Sequence, residues 1–132
     1  RMAIQDGGLN ADEIDYVNAH GTSTQMNDRI ETLSLKMALG ETAARQIAIS
    51  STKSMTGHLI GAAAAVEAVV TAFTLYRGVA HQTRNLENPD LEAGCDLDYI
   101  PDGPRESNFR AALSNSLGFG GHNVCLAFRK FD

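Results

Sequence analysis

Two histidines lie in loops of small residues, and each loop directly follows a short segment that has the composition of a β-strand. The first loop, residues 18–24, contains His20 and follows the apolar segment 14–19. The second loop contains His58 and follows the isoleucine-rich segment 47–50. Ligands in open α/β sheets gather beyond the carboxyl ends of the strands, so we expect both histidines to face one crevice.

Each of these two strands is followed by a predicted helix. Asn27 or Asp28 can cap the first helix, and Gly40 ends it. Apolar residues recur along this segment at helical spacing, and we expect them to form its buried face. They are Ile30, Leu33, Met37 and Ala38.

The second predicted helix runs from about His58 to Arg77, is apolar nearly all round and is closed by Gly78. Such a helix is typically buried between other elements. Glu67 lies about two and a half turns inside it, and a buried carboxylate needs a partner. Lys53 lies in the preceding loop and is the natural candidate. The pair would fix the loop that carries the second histidine.

Three further strands are expected in the last third of the chain. One is a half-buried strand at residues 97–99, and the other two are residues 109–114 and 124–128, joined by the glycine loop 118–121. The order is strand, helix, strand, helix and then three strands. It predicts an α/β fold with a mixed five-stranded sheet and packed helices, in one domain that spans residues 1–132.

Composition and charge disfavour several classes of protein. The net charge of −5 provides no basic surface for nucleic acid or an anionic membrane. The segment 59–75 comes nearest to a membrane span, but it contains Glu67, so we expect a core helix. Residues 1–6 lack the apolar region of a signal peptide, and because the chain begins with Arg we expect its natural start to lie upstream. Two cysteines make no disulfide framework, so we expect a reducing cytoplasm, or an organellar stroma or matrix in a eukaryote.

The two histidines could act together on one oxygen atom. A helix N-terminus carries about half a positive charge, which disfavours an imidazolium and favours a neutral ring. A neutral imidazole still donates one N–H to a developing oxyanion, and losing such a donor typically costs about 100- to 1000-fold in rate. A single histidine near a helix start is more often a cap or a surface residue, so this interpretation depends on the two sequence contexts together.

Several spaced motifs, in a fixed order, extend this pattern along the chain. They are residues 18–24, 53–61, 85–90, 97–99 and 115–123. Together they resemble the β-ketoacyl-acyl-carrier-protein synthases, and most closely the elongating, type II-like enzymes. The resemblance spans residues 14–129. It implies that the chain is the C-terminal part of a condensing enzyme, with the C-terminal half of a thiolase-like fold.

The resemblance implies a decarboxylative Claisen condensation in fatty-acid synthesis. In enzymes of this family an acyl group is loaded on a cysteine, malonyl on acyl carrier protein loses carbon dioxide, and the carbanion attacks the acyl thioester. The resemblance assigns His20 and His58 to stabilising and protonating the malonyl thioester oxygen. It assigns Lys53 a supporting role near His58, with Glu67 as its ionic partner.

Further positions match those that contact the phosphopantetheine arm or gate the site in this family. They are Thr22, Thr24, Phe119 and Gly120. Phe119 matches the gating phenylalanine, whose backbone N–H also belongs to the oxyanion hole. The neighbouring glycines would allow close backbone approach and loop movement. Asp28 and Glu31 match acidic positions of the supporting network.

The cysteine nucleophile of the family belongs to the first half of the fold, and neither cysteine here has its context. Cys95 lies in an irregular acidic segment, and Cys125 has the pattern of an inert thiol in a strand. We therefore expect the nucleophile-bearing half to be absent from this chain and the isolated chain to be inactive.

The implied partners are acyl carrier protein, acyl and malonyl thioesters, and a second copy of the full-length protein. No cofactor or metal is expected, because phosphopantetheine arrives on the carrier protein.

Three other functions are alternatives. A catalytically silent partner similar to a chain-length factor, or a carrier-protein docking module, would often lose catalytic residues, whereas both histidines and Lys53 are present. A thiolase would carry a Cys-Gly motif near its C-terminus, and residues 117–124 contain none. A metal site is disfavoured because the four histidines and two cysteines show no zinc-like spacing.

Overall fold

The computed structural model describes residues 1–131. The strands in this part of the chain are β1 (Tyr16–Asn18), β2 (Ala48–Ser50), β3 (Val79–Ala80), β4 (Arg105–Glu106), β5 (Ala111–Gly118) and β6 (His122–Arg129). The α-helices are α1 (Met2–Asp6), α2 (Gln25–Leu39), α3 (Glu41–Ala44), α4 (Lys53–Thr56) and α5 (Ala63–Arg77). Two 3₁₀ helices lie at Ala11–Glu13 and Ile60–Ala62.

The main sheet has four strands in the order β2-β1-β5-β6. Strand β1 is parallel to β2 and β5, while β5 and β6 form an antiparallel hairpin through the glycine loop, as expected. The α/β class with a mixed sheet is confirmed. Strands β3 and β4 form a separate antiparallel pair.

The prediction of a fifth strand at residues 97–99 is wrong. This segment makes only one isolated parallel bridge, from Asp98 to Ala48 of β2. The side chain of Asp98 accepts the N–H of Ile100, which adopts a φ of 49°. Because this local turn directs the chain away from β2, pairing stops after a single residue.

Strand β1 separates two hydrophobic cores. Val17 packs into the core on the α2 side with Leu35, whereas Tyr16 packs into the core on the α5 side with Leu75 and Phe109. Tyr16 and Val17 are both completely buried, because successive residues of a strand face opposite sides of the sheet. The sheet is therefore covered by α2 on one face and by α5 on the other.

Helix α2 ends at Gly40 as expected but begins earlier than predicted. Its N-cap residue is Thr24, so Asn27 and Asp28 lie within its first turn. The predicted apolar face is also wrong, because Ile30, Leu33 and Met37 are 50, 55 and 66% exposed. The buried residues of the helix are instead Glu31, Thr32, Leu35 and Leu39. Two of these are polar, which is why hydrophobic periodicity selected the wrong face.

Helix α5 ends at Arg77, with Gly78 in the left-handed conformation at φ 68°, as expected. It begins at Ala63, so His58 does not open it and lies instead in the turn after α4. The helix is not buried all round, because it exposes Val69, Phe73 and Tyr76. By length and composition, Ile60–Arg77 is apolar enough to cross a membrane, a property that core helices share.

Candidate active site

The candidate site lies at the carboxyl ends of the parallel strands β1 and β2. His20 follows β1 by two residues, and Lys53 begins α4 three residues after β2. Glu67 lies on the buried side of α5. Parallel pairing of the two strands brings the residues that follow them to the same edge of the sheet.

Lys53 and Glu67 form the expected ion pair, with 2.5 Å between Nζ and Oε1. Both residues are buried, at 8% and 2% exposure. The ammonium also donates to Nδ1 of His20 at 3.3 Å. Nζ of Lys53 extends from the start of α4 to Glu67 and to the ring of His20. The expected support of His58 by Lys53 stays a prediction.

The rings of His20 and His58 lie edge to face, with centroids 5.9 Å apart. Nδ1 of His58 accepts the N–H of Ile60 at 3.0 Å. A nitrogen that accepts a hydrogen bond carries no proton, so the neutral ring of His58 holds its proton on Nε2. The turn after α4 thus fixes the tautomer of an exposed histidine.

Burial lowers the pKa of His20, and the nearby charge of Lys53 lowers it further. The carboxylates of Glu67 and Asp28 act in the opposite direction but do not reverse this shift. His20 is therefore neutral at neutral pH. Its Nδ1 accepts from Lys53, so it too carries its proton on Nε2. The site contains two neutral imidazoles, each with one fixed N–H donor.

Glu31 holds the loop that carries His20. Its Oε1 accepts hydrogen bonds from the backbone N–H of His20 at 2.8 Å and from Nδ2 of Asn115 at 3.1 Å. Its Oε2 accepts hydrogen bonds from the N–H of Gly21 at 2.9 Å and from Nδ2 of Asn27 at 3.3 Å. One buried carboxylate thereby joins this loop to α2 and to β5.

A pocket of about 600 Å³ opens beside His58, between α2 and the irregular segment 83–95. His20 does not line it, although its neighbours Ala19 and Gly21 do. Among the predicted site residues, its lining includes Thr22, Thr24, Asp28, Glu31, Lys53 and His58. The hydroxyl oxygens of Thr22 and Thr24 are 3.0 Å apart. The structure therefore gathers most of the predicted residues around one cavity.

Phe119 and Gly120 lie elsewhere, in the turn between β5 and β6. The side chain of Phe119 is fully exposed, and neither residue lines the pocket in the described part of the chain. Gly120 and Gly121 have φ values of 82° and 83°, which the tight turn requires. The gating role of Phe119 stays a prediction.

The two cysteines are in different environments. Cys95 lines the pocket and is buried, with its Sγ 3.9 Å from the hydroxyl of Thr32, which is no base at neutral pH. Cys125 lies on β6, where burial raises the pKa of its thiol. Burial thus disfavours a thiolate at Cys125. Within residues 1–131, no three or more His, Cys, Asp and Glu side chains are grouped to hold a metal ion.

Sequence reasoning missed three polar residues that support the site. Asn115 donates a hydrogen bond to Glu31, and Asn18 donates one to Thr52, the residue before Lys53. Asn18 offered the one available signal, because an asparagine at the end of a buried strand needs partners. The other two lie in segments whose pattern resembles ordinary loop or strand sequence.

Residues 1–87 match the family model described as "Beta-ketoacyl synthase, C-terminal domain". The chain is 54% identical over 130 residues to 3-oxoacyl-[acyl-carrier-protein] synthase 2 of Synechocystis sp., an alignment that covers 98% of this chain and 30% of that protein. It thus spans about 30% of the length of the curated relatives it matches.

Solved structures agree with this similarity. A type II polyketide ketosynthase in complex with its acyl-carrier protein superposes with a TM-score of 0.93 at 39% identity, over 99% of this chain and 31% of that one. A β-ketoacyl synthase from Burkholderia phymatum superposes with a TM-score of 0.90 at 40% identity, over 98% and 31% of the two chains. Both similarities extend beyond residue 87 to the hairpin of β5 and β6.

Proposed function

This chain belongs to the family of β-ketoacyl synthase C-terminal domains, and from that premise we propose that it supplies the two-histidine part of a condensing-enzyme active site. The reaction is the decarboxylative Claisen condensation of a malonyl thioester with an acyl thioester. The observation that carries the proposal is the pair of neutral imidazoles, each with Nδ1 occupied and Nε2–H available.

These two donors suit the charge that forms during decarboxylation. When the malonyl carboxylate leaves as carbon dioxide, the electron pair of the broken C–C bond forms an enolate on the thioester oxygen. His20 and His58 donate their Nε2 protons as hydrogen bonds to that oxygen. Because both donors are fixed before the reaction, they stabilise the enolate more than the ground-state carbonyl.

The condensation itself needs an acylated nucleophile. The enolate carbon attacks the acyl thioester, a new C–C bond forms, and the thiolate leaves. The environments of Cys95 and Cys125 do not support that role, so the nucleophile comes from a part of the enzyme outside residues 1–132. The isolated chain is inactive in this proposal.

The malonyl group arrives on acyl carrier protein. The pocket beside His58, with Thr22 and Thr24 on its wall, receives the phosphopantetheine arm. Hydroxyls can bond the amide groups of such an arm, and the apolar wall contacts its methylene groups. A second copy of the complete protein is a further proposed partner.

The test uses a chimera in which this chain replaces the matching 30% of the Synechocystis relative. We expect the parent chimera to load an acyl group on its cysteine and to decarboxylate malonyl-acyl-carrier-protein. His58→Ala removes one enolate donor, so decarboxylation should fall by about 100- to 1000-fold while acyl loading persists.

Acyl loading reports folding and nucleophile function independently of the histidine. Leu59→Ala, which changes the next side chain in the same turn, serves as the matched control and should decarboxylate like the parent. Full decarboxylation by the His58→Ala chimera would contradict the proposal. A parent chimera that loads acyl groups but never decarboxylates would favour the silent-partner alternative.

A further inference from the structure

Asn18 ends β1 two residues before His20, and its side chain is completely buried. Its carboxamide oxygen accepts the N–H of Thr52 at 3.3 Å, and its Nδ2 donates to Thr52 Oγ1 at 2.8 Å. Thr52 is the residue directly before Lys53. One amide therefore holds both the backbone and the side chain at the start of α4.

The same amide also reaches α5. Nδ2 of Asn18 lies 3.2 Å from the carbonyl oxygen of Glu67 and 3.2 Å from the hydroxyl of Thr71. That hydroxyl in turn donates to the Glu67 carbonyl at 2.7 Å. Asn18 thus links the backbone that carries Lys53 to the helical turn that carries Glu67.

We propose that Asn18 is a positioning residue that places the Lys53 ammonium between Glu67 and His20. The inference rests on the proposed function, because its effect passes through His20. The side chain of Lys53 is flexible, and its ammonium reaches both partners only if α4 and α5 keep their separation. A fully hydrogen-bonded buried amide fixes that separation, whereas an apolar side chain of the same size would not.

Two properties of His20 depend on this placement. The ammonium donates to Nδ1, which keeps the ring proton on Nε2, and its charge lowers the pKa of the ring. The other charged or titratable groups that face the ring are Glu67 on α5, His58 in the turn and Asp28 on α2. The hydrogen bond of Glu31 to His20 goes to the backbone N–H and not to the ring. If the ammonium moves away, burial still lowers the pKa of His20, but the contribution of the Lys53 charge is lost and the pKa rises from its present position.

Asn18→Leu in the chimera described above tests the inference. The substitution keeps the side-chain size and removes all the amide contacts. We expect kcat for malonyl decarboxylation to fall by about 100-fold, the loss typical of a misplaced catalytic group. The acid limb of the pH–rate profile should move to higher pH, because His20 becomes protonated at higher pH. Acyl loading should persist.

Variants of Thr52 provide a conservative pair. Thr52→Val removes the hydroxyl that accepts from Asn18 and should shift the acid limb in the same direction, whereas Thr52→Ser keeps the hydroxyl and should restore the parent profile. Tyr16→Phe is the matched control, since it removes a different buried hydrogen bond of β1, to Ser50 at 2.8 Å. It should leave the acid limb unchanged even if stability falls.

The outcomes separate the two proposals. A parent chimera that loads acyl groups without decarboxylating malonyl would contradict the proposed function, and this inference with it. An active parent whose Asn18→Leu variant keeps both the rate and the acid limb would overturn the inference alone. If Asn18→Leu fails to load acyl groups, the Thr52 pair decides: equal profiles for Thr52→Val and Thr52→Ser would refute the positioning role.

Discussion

Gly21 shows how one backbone position constrains the candidate site. It follows His20 with a φ of 41°, in the region that side chains with a Cβ rarely adopt. A Cβ at this position would lie 2.5 Å from the Cβ of Ser51 and 2.7 Å from its Oγ. The hydroxyl of Ser51 donates to the carbonyl of Gly21 at 2.9 Å, so the two loops are in direct contact. Only glycine permits this approach.

We expect Gly21→Ala to destabilise the protein by about 2–4 kcal/mol, because backbone strain and a steric clash add at one residue. Urea unfolding monitored by circular dichroism would measure the loss. Gly8→Ala is the matched control, since Gly8 has a φ of 60° but nothing within 4 Å of the added Cβ. It should cost only about 1–2 kcal/mol. Equal losses for both variants would show that contact with Ser51 is unimportant.

At the scale of elements, a small ionic cluster holds the irregular segment between β3 and β4 against the helices. The carboxylate of Asp96 bonds Lys36 of α2 and, at 2.6 Å, Arg45 just after α3. Arg45 also pairs with Glu41 of α3 at 2.5 Å. This segment lines the pocket and contains few strand contacts, so the cluster helps to fix one wall of the candidate site.

The hydrogen bonds from Lys36 and Arg45 lower the pKa of Asp96 to about 2. An unpaired aspartate in the unfolded chain titrates near pH ~3.9, so the folded value is depressed. The stability that the cluster contributes is therefore present above about pH 4 and is lost as the pH falls towards 2.

We expect Asp96→Asn to lower the urea midpoint at pH 7 and to have a much smaller effect at pH 2, where about half of the folded carboxylate is already protonated. Glu87→Gln, which changes an exposed acid of the same segment, should shift the midpoint little at either pH. Because the pairs are partly exposed, added salt should reduce the effect of Asp96→Asn. An effect of the same size at both pH values would exclude the ionic explanation.

At the scale of the whole molecule, two helices present apolar side chains to solvent. On α5 these are Val69, Phe73 and Tyr76, exposed by 56, 55 and 72%. On α2 they are Met26, Ile30, Leu33 and Met37. Contiguous apolar patches on a folded protein usually mark contact surfaces. The relatives are about three times as long as this chain, which agrees with a surface that further protein covers.

We expect the 132-residue chain to self-associate in solution through the exposed face of α5. Covering this face buries the aromatic side chains of Phe73 and Tyr76, and removing apolar surface from water is favourable. Size-exclusion chromatography with light scattering would show a mass that rises with concentration. Phe73→Ser should reduce this association. Phe131→Ser removes a phenylalanine that is 98% exposed outside this face, and it should not. A chain that stays monomeric at all concentrations would contradict the expectation.

The sequence by itself determined the order of elements and the identity of the principal side chains. Short apolar segments before His20 and His58 predicted β1 and β2, and Gly40 and Gly78 predicted where two helices end. These predictions succeeded because strand burial and glycine caps at positive φ depend on local residue type. The charged pair of Lys53 and Glu67 was also predictable, since a carboxylate in an apolar helix needs a partner.

Only the tertiary structure decided which face of α2 is buried, how many strands pair and which histidine Lys53 contacts. Glu31 is buried because it accepts hydrogen bonds from backbone N–H groups of the His20 loop and from Asn115 of β5, 84 residues later, and no periodicity of hydrophobic residues can indicate that. Asn18 joins α4 and α5 for the same reason. Local patterns determine elements, whereas hydrogen bonds between distant segments determine which polar residues are buried, and the site is built from those residues.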